Sequence, residues 1–392
     1  MIWSRDFWFV QNYLDYGSCS HPHTLNISTF SDNKILQNSM ATSAPSTTNS
    51  LKTVEWMWKA NQDPYSDEPD EWIHYSDVEN IILEKAYSRN QPRATLDNYY
   101  IDLKKNLQVS IHGSYEERPV KRMVREREDK HLREARFIDL PVGSVRSFGG
   151  QYGWVSPFVV EVRRHLGLHP EELPSKKPDL VRKLVKKAAH GIVKEGKRIG
   201  KRKEAKEMAN ILLEKKRKSM EEVWRCCAYL YSLESFLYKN LNAAMRLVGS
   251  KDDEQVWHDK VRTLGPFCLL LWDDPYNKKV KCDIELYRGA NLKPELVERY
   301  QQMANKDEYG SFQSFSSCSR NRSKAEEFGN VLFIMKVLFA FTADLSGLSE
   351  YAAEEEELVT PGVCFRVEHV EFDRQKNKHL IYIELRQRFK GK

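Results

Sequence analysis

Between residues 178 and 386 the hydrophobic period of this chain changes once, from helical to extended, and that order restricts the architectures open to it. Val181, Leu184, Val185 and Ala188 fall at i, i+3, i+4 and i+7, and Ala205, Met208, Ala209 and Leu212 repeat the spacing. Residues 221–248 read as a longer helical stretch rich in Leu, Tyr and Ala. Beyond them Ile284–Arg288, Val331–Phe341, Phe365–Phe372 and Leu380–Arg386 are β-prone runs separated by polar turns. Helices followed by strands predict an α+β domain in which helices pack on one part of a mixed, mostly antiparallel β assembly.

The 392 residues leave room for more than one core. Residues 1–53 read as a disordered N-terminal segment, since Gln37–Thr53 is rich in Ser, Thr, Asn and Ala and has little to bury. Residues 54–123 form a compact unit dense in Trp and Tyr. Residues 124–220 read as a charged linker followed by basic helices, and 221–392 as the α+β domain. The net charge of +6 is unevenly spread: residues 176–218 carry 17 Lys and Arg against 5 Asp and Glu, so the remainder is acidic. The lysines of this segment are not interleaved with aromatics, which argues against nucleic acid as a partner and for a solvated helix pair. No apolar run reaches the length of a membrane span. Arg5 and Asp6 interrupt any signal-peptide core. The seven cysteines include no C-x-x-C pair. The expectation is an intracellular protein, cytoplasmic with nuclear as the alternative, that holds no metal.

Three features of the strand-rich part carry chemistry. Leu286-Tyr287-Arg288-Gly289 places an arginine fork at a strand end beside a glycine, where backbone can approach a ligand; this suits a pyrophosphate. In Phe312-Gln313-Ser314-Phe315-Ser316-Ser317-Cys318-Ser319, aromatics alternate with hydroxyls that can hold a ribose or orient a carboxylate. In Tyr351-Ala352-Ala353-Glu354-Glu355-Glu356-Glu357-Leu358 an acidic run enters a strand. Alone it reads as a solvated loop. In an extended segment residues i and i+2 share a face, so Glu355 and Glu357 are expected to point the same way.

In order and spacing these features resemble the arginine-specific mono-ADP-ribosyltransferases of the R-S-E class, relatives of the cholera-type toxins. Tyr231-Ser232-Leu233-Glu234-Ser235-Phe236 looks like the family's helical lead-in, and Pro361 sets the register at Glu355-x-Glu357, leaving Glu354 and Glu356 as bystanders. Cys318 stands where the family usually has threonine; because it should lie opposite Ser317 and Ser319, a packing change is expected there. The resemblance implies an ADP-ribosyltransferase fold that uses NAD, or alternatively NADP, as substrate. It implies that Arg288, Ser317, Glu355 and Glu357 are catalytic, with Arg288, Gly289, Ser317 and Phe328 binding the dinucleotide. Arg288 would hold phosphates and Ser317 the nicotinamide ribose and the final glutamate. Glu357 would hold the ribose 2′-hydroxyl, Glu355 the acceptor guanidinium, and Tyr351 would contact the acceptor. Protein arginines are the implied acceptors.

Residues 54–122 carry a second pattern: Trp56-Met57-Trp58, Trp72-Ile73-His74-Tyr75, a helix over Val78–Tyr87 that Asp77 is suited to cap, Tyr99-Tyr100-Ile101, Gln108, and Arg118-Pro119-Val120. This resembles the WWE domain, its name letters falling at Trp56, Trp72 and Glu84, and implies a small α+β unit. Some members bind iso-ADP-ribose, the internal unit of poly(ADP-ribose), and Tyr75, Tyr99, Gln108 and Arg118 occupy the matching positions. The implied protein is a transferase, with a non-catalytic reader of ADP-ribose or an NAD glycohydrolase as rivals.

Overall fold

The structure is a computed structural model and describes residues 52–65, 67–111, 117–126, 155–169, 172–248, 250, 252–276, 282–306 and 309–387. The segment expected to be disordered lies outside them up to residue 51, as do residues 127–154 of the expected linker.

The aromatic-rich unit is an antiparallel sheet of six strands among the described residues. They are β1 (Lys52–Lys59), β2 (Trp72–His74), β3 (Arg93–Thr95), β4 (Tyr99–Asp102), β5 (Leu107–Ser110) and β6 (Glu117–Glu126), in the order β2-β1-β6-β5-β4-β3. One helix, α1 (Asp77–Ser88), packs Leu83 and Ala86 against Trp56, Tyr75, Ile101 and Val120. Trp56 is 1% exposed, and a ring N–H in an apolar core needs an acceptor. It donates to Glu84 Oε2 at 3.0 Å, and Arg122 grips the same carboxylate through Nε at 2.9 Å and Nη2 at 2.8 Å. Lys121 lies over the Trp72 ring at 4.0 Å. The cap of α1 is not Asp77. Ser76 takes that place and forms a capping box with Glu79, which leaves the Asp77 carboxylate to act elsewhere.

A helical layer follows: α2 (Pro157–His165), α3 (Pro178–Arg198), α4 (Arg202–Glu214), α5 (Met220–Ser232), α6 (Phe236–Arg246), α7 (Glu254–Thr263) and α8 (Gly265–Trp272). The stripes read from the sequence are buried, with Val181, Leu184, Val185 and Ala188 on α3 and Ala205, Met208, Ala209 and Leu212 on α4. The two basic helices share one core with Val162, Leu230, Leu241 and Leu269, so they are part of the helical layer and not a tether beside it. The expected single helix over 221–248 is two. Leu233 is extended, with φ −68° and ψ 143°, and Ser235 caps the next helix by accepting from Leu237 N, because a serine side chain can satisfy a helix-start amide that the preceding turn no longer serves.

The strands close the fold: β7 (Ile284–Ala290), β8 (Tyr309–Ser311), β9 (Ser316–Ser319), β10 (Val331–Phe339), β11 (Thr342–Asp344), β12 (Glu356–Val359), β13 (Cys364–Asp373) and β14 (Lys378–Arg386), with α9 (Pro294–Lys306) and the short α10 (Arg322–Glu326) between them. Their order is β11-β12-β9-β7-β10-β14-β13-β8; β10 and β14 pair in parallel and the other pairs are antiparallel. The mixed, mostly antiparallel expectation is met. One face buries Phe333, Phe365 and Ile383 under Val297, Tyr300 and Met303 of α9.

Crossing of α3 and α7 sets how the helical layer closes. At Gly191 an added Cβ would stand 1.8 Å from the Thr263 carbonyl oxygen, so only glycine permits this approach. One turn on, the buried Glu195 accepts from Thr263 Oγ1 at 2.6 Å and pairs with Lys260. Gly191→Ala is expected to lower stability by about 1–3 kcal/mol through overpacking; an unchanged urea midpoint would contradict so close a crossing.

Candidate active site

The site is built on the strand ladder β7–β9–β12–β11. Tyr287 pairs with Ser319, Glu357 with Cys318, and Asp344 with Glu357. Because alternate residues of a strand face opposite sides, this register puts Arg288, Cys318, Glu357 and Asp344 in one row across the sheet. Ser317, opposite Leu358, belongs to the other side of β9. Cys318 is therefore opposite Ser317 as expected, but the row it joins is the one that carries Arg288 and Glu357. It is fully buried. Burial pushes its thiol up to about 12, with Arg288 pulling it down and Glu357 and Glu356 pushing it further, so it stays protonated at neutral pH.

Arg288 is 4% exposed, and its Nη1 donates to the Ser317 carbonyl at 2.5 Å. That bond ties the arginine to the backbone of the serine strand. Gly289 is needed for a reason other than ligand approach. A Cβ there would stand 2.4 Å from the Ala325 carbonyl and 2.7 Å from Phe328, so the end of α10 packs directly on β7. Phe328 is 6% exposed and forms part of this packing, while its carbonyl accepts from Lys378 Nζ at 2.9 Å.

Three of the four glutamates of the acidic run are buried, so it is not a solvated loop. Glu354, Glu356 and Glu357 are buried, Glu357 completely. Its carboxylate accepts from Thr342 Oγ1 at 2.5 Å and from Arg320 Nη1 at 3.4 Å. Arg320 in turn bonds Asp344 at 2.9 Å. Burial disfavours the Arg320 charge, but the bond to Asp344 and the charges of Asp344, Glu357 and Glu355 outweigh it and raise its pKa above the ordinary value. The hydroxyl bonded to the final glutamate is thus that of Thr342, where the resemblance implied Ser317.

Glu355 does not share an extended face with Glu357. The strand begins only at Glu356; Glu355 closes a 3-10 turn, Ala352–Glu354, with φ 44° and ψ 49°. A side chain in the left-handed region costs roughly 1–2 kcal/mol. Here it turns an exposed carboxylate to the rim of the site, where Asn321 Nδ2 donates to it at 3.4 Å. Ser319 secures the turn by donating to the Glu354 carbonyl at 2.7 Å, and Arg320 N donates to the Glu355 carbonyl at 3.2 Å. Tyr351 departs from expectation. It is 3% exposed and donates its hydroxyl to Asp77 Oδ1 of α1 at 2.8 Å, so it is an internal tie and not a surface for an acceptor.

On the smaller sheet, Gln108 pairs in register with Ile101 and Arg118. Tyr75 donates to Gln108 Oε1 at 2.7 Å, and burial holds the Tyr75 phenol well above its ordinary pKa, with the charges of Glu79 and Tyr99 adding to the effect. Arg118 lies over the Trp58 ring at 5.6 Å and donates to the carbonyls of Lys59 at 3.2 Å and Asn61 at 2.8 Å. The four expected ligand residues thus gather about β4–β6.

A helical layer followed by a β ladder that carries Arg288 and Glu357 in one row agrees with the ADP-ribosyltransferase fold that the resemblance implied. The family model described as NAD:arginine ADP-ribosyltransferase matches residues 178–389, over half of the chain, and the chain belongs to that family. Residues 54–122 match the WWE domain. The catalytic match begins at α3, which agrees with the place of the basic helices in the core. Among solved structures the chain is similar to the ADP-ribosyltransferase HopU1 of Pseudomonas syringae pv. tomato DC3000, at 20% identity over 42% of this chain and 77% of that one, TM-score 0.36. It is also similar to the type III effector XopAI of Xanthomonas axonopodis pv. citri, at 16% identity over 53% and 87%, TM-score 0.37. A third similar chain is exoenzyme S of Pseudomonas aeruginosa, at 19% identity over 51% and 88%, TM-score 0.33. No curated protein sequence matches the chain. Among the described residues no cluster of His, Cys, Asp and Glu is arranged to hold a metal ion, and no helix is long and apolar enough to cross a membrane.

Thr342, Arg320 and Asp344 are the residues that reading the sequence missed. Thr342 left no local signal, since it reaches Glu357 only through the β11–β12 pairing; Arg320, directly after Ser319, was legible as a charge but not as a partner. A hydrogen bond to a charged group contributes about 1.5–3 kcal/mol. Thr342→Val is therefore expected to lower both Tm and the rate of NAD turnover, the latter by roughly 10- to 150-fold; wild-type turnover would remove Thr342 from the site.

Proposed function

We propose that this chain transfers ADP-ribose from NAD to arginine side chains of proteins. The observation that carries the reading is a pair of unlike carboxylates. Glu357 is fully buried and fixed in the sheet, and Glu355, two residues earlier, is exposed at the rim. In this reading Arg288 holds the pyrophosphate, and Ser317, whose side chain lies on the other side of β9 from Arg288 and Glu357, acts through its carbonyl, which fixes the Arg288 guanidinium. Gly289 and Phe328 shape that side of the cleft by seating α10. Glu357 bonds the ribose 2′-hydroxyl and stabilises positive charge at C1′ as the C1′–N bond to nicotinamide breaks and its electron pair neutralises the pyridinium. A guanidinium nitrogen of the acceptor then forms the new C1′–N bond and gives its proton to Glu355. An arginine side chain stays protonated at neutral pH and so needs such a positioned base.

The two glutamates separate in experiment. Incubated with labelled NAD and agmatine, Glu357→Gln is expected to lose both transfer and NAD hydrolysis. Glu355→Gln is expected to lose arginine transfer by roughly 10²–10⁴-fold while hydrolysis survives, because water needs no base of that strength. Retained transfer in the first variant, or an equal loss of both activities in the second, contradicts the division of roles.

The WWE domain is proposed to bind iso-ADP-ribose, with Tyr75 and Tyr99 against adenine, Gln108 bonding it and Arg118 clamping phosphate. The bond between Tyr75 and Gln108 and the seat of Arg118 over Trp58 support a site arranged in advance. Calorimetry with iso-ADP-ribose is expected to give heat that Arg118→Ala abolishes; heat unchanged by the substitution contradicts the assignment. Cys226, Cys227, Cys268 and Cys318 are buried free thiols, which supports a reducing, intracellular compartment.

A further inference from the structure

The WWE domain is docked on the catalytic domain along α1, and four of the contacts among the described residues mark the seat. Val78 of α1 is fully buried within the helical core of the catalytic domain. Lys85 bonds Glu207 of α4 at 2.8 Å. Asp97, in the loop between β3 and β4, accepts from Lys203 N at 2.7 Å and Glu204 N at 3.3 Å. It therefore caps α4 from the other domain, and α4 has no side-chain cap of its own. The fourth contact reaches the active site. Asp77 is 7% exposed, accepts from Glu234 N at 2.6 Å through Oδ2, and accepts from the Tyr351 hydroxyl through Oδ1.

Both partners of Asp77 matter. Glu234 lies in the break between α5 and α6, where an amide has left one helix and not yet entered the next. Tyr351 begins the turn that ends at Glu355. Its hydroxyl is tied to Asp77, its amide donates to Ser349 Oγ at 3.1 Å, and its carbonyl accepts from Glu354 N at 3.1 Å. The far end of the turn is tied to Ser319 and Arg320. Glu357, by contrast, is fixed inside the sheet by Thr342 and Arg320. The start of the turn therefore depends on a residue of the other domain, and the final glutamate does not. A buried carboxylate also needs its partners, and the first turn of α1 is a favourable place for its charge. Ser76 takes the capping duty that would otherwise occupy it.

We propose that Asp77 of the WWE domain is a positioning residue for Glu355: by holding Tyr351 against Glu234 it sets the turn that presents the acceptor carboxylate. The consequence for activity rests on the arginine-transfer reading above; the consequence for the turn does not. The same latch starts two residues after Tyr75, one of the residues proposed to bind ligand, so the WWE domain and the acceptor turn share one short stretch of backbone.

The test uses the full chain carrying Asp77→Ala, Asp77→Asn and Tyr351→Phe, with Lys85→Ala as an interface control. Hydrogen exchange is read over residues 349–355 and over the β9–β12 pair, and agmatine transfer and NAD hydrolysis are measured side by side. Asp77→Ala and Tyr351→Phe are expected to speed exchange in 349–355 at least tenfold and leave β9–β12 protected. Transfer is expected to fall about tenfold with hydrolysis within twofold of wild type. Asp77→Asn, which keeps an oxygen acceptor, is expected to restore much of both, and Lys85→Ala to leave the ratio of transfer to hydrolysis unchanged. Unchanged exchange over 349–355 in Asp77→Ala overturns the proposal whatever the acceptor is. Equal loss of transfer and hydrolysis, or the same change of ratio in Lys85→Ala, also overturns it. If Asp77→Ala shows the exchange effect while the wild-type protein does not modify agmatine, arginine transfer is overturned and the positioning of the turn is supported.

Discussion

A carboxylate removed from water governs this active site. Glu357 has no exposed surface, and a charge in that position is tolerated only when donors surround it. The donors come from neighbouring strands: a hydroxyl from β11 and a guanidinium from the residue after β9, itself held by Asp344. The register of β11, β12 and β9 is therefore a chemical requirement as well as a packing one. A slip of one residue would turn Glu357 toward the apolar helical core that Leu358 now fills. Arg288, placed one strand further by the pairing of Tyr287 with Ser319, completes the row.

The two ends of the acidic run obey different physics. Glu356 and Glu357 are strand residues fixed by a ladder. Glu355 sits in a left-handed conformation that glycine adopts more readily, and a conformation of that cost persists where its surroundings overdetermine it. Those surroundings are Ser319 and Arg320 on one side and the Tyr351 tie on the other. The strained residue is also the exposed glutamate of the run.

The relation of the two domains follows from caps. Ser76 caps α1 and releases Asp77; Asp97 caps α4 from outside the catalytic domain; Ser235 starts α6 and so opens the break that Asp77 enters. Each satisfies backbone amides that a helix end leaves without an intrahelical acceptor. The WWE domain is in this way part of the helical layer's hydrogen bonding, in addition to burying Val78 there.

Local periodicity was enough to place the buried stripes of α3 and α4, the main strands, and the order of helices before strands, because side-chain burial repeats with the backbone. Motif spacing was enough to propose Arg288, Ser317 and Glu357 as site residues and to place the aromatic core around Trp56, since residue type carries their chemistry. Three things lay beyond it. The break at Leu233–Ser235 depends on a capping choice that a continuous apolar pattern conceals. The parity of Ser317 and Glu357 depends on strand register, and the partnership of Thr342 with Glu357 on a strand pairing; neither is a local property. The seat of Tyr351 on Asp77 joins residues 274 positions apart, and only the folded chain brings them within hydrogen-bonding distance.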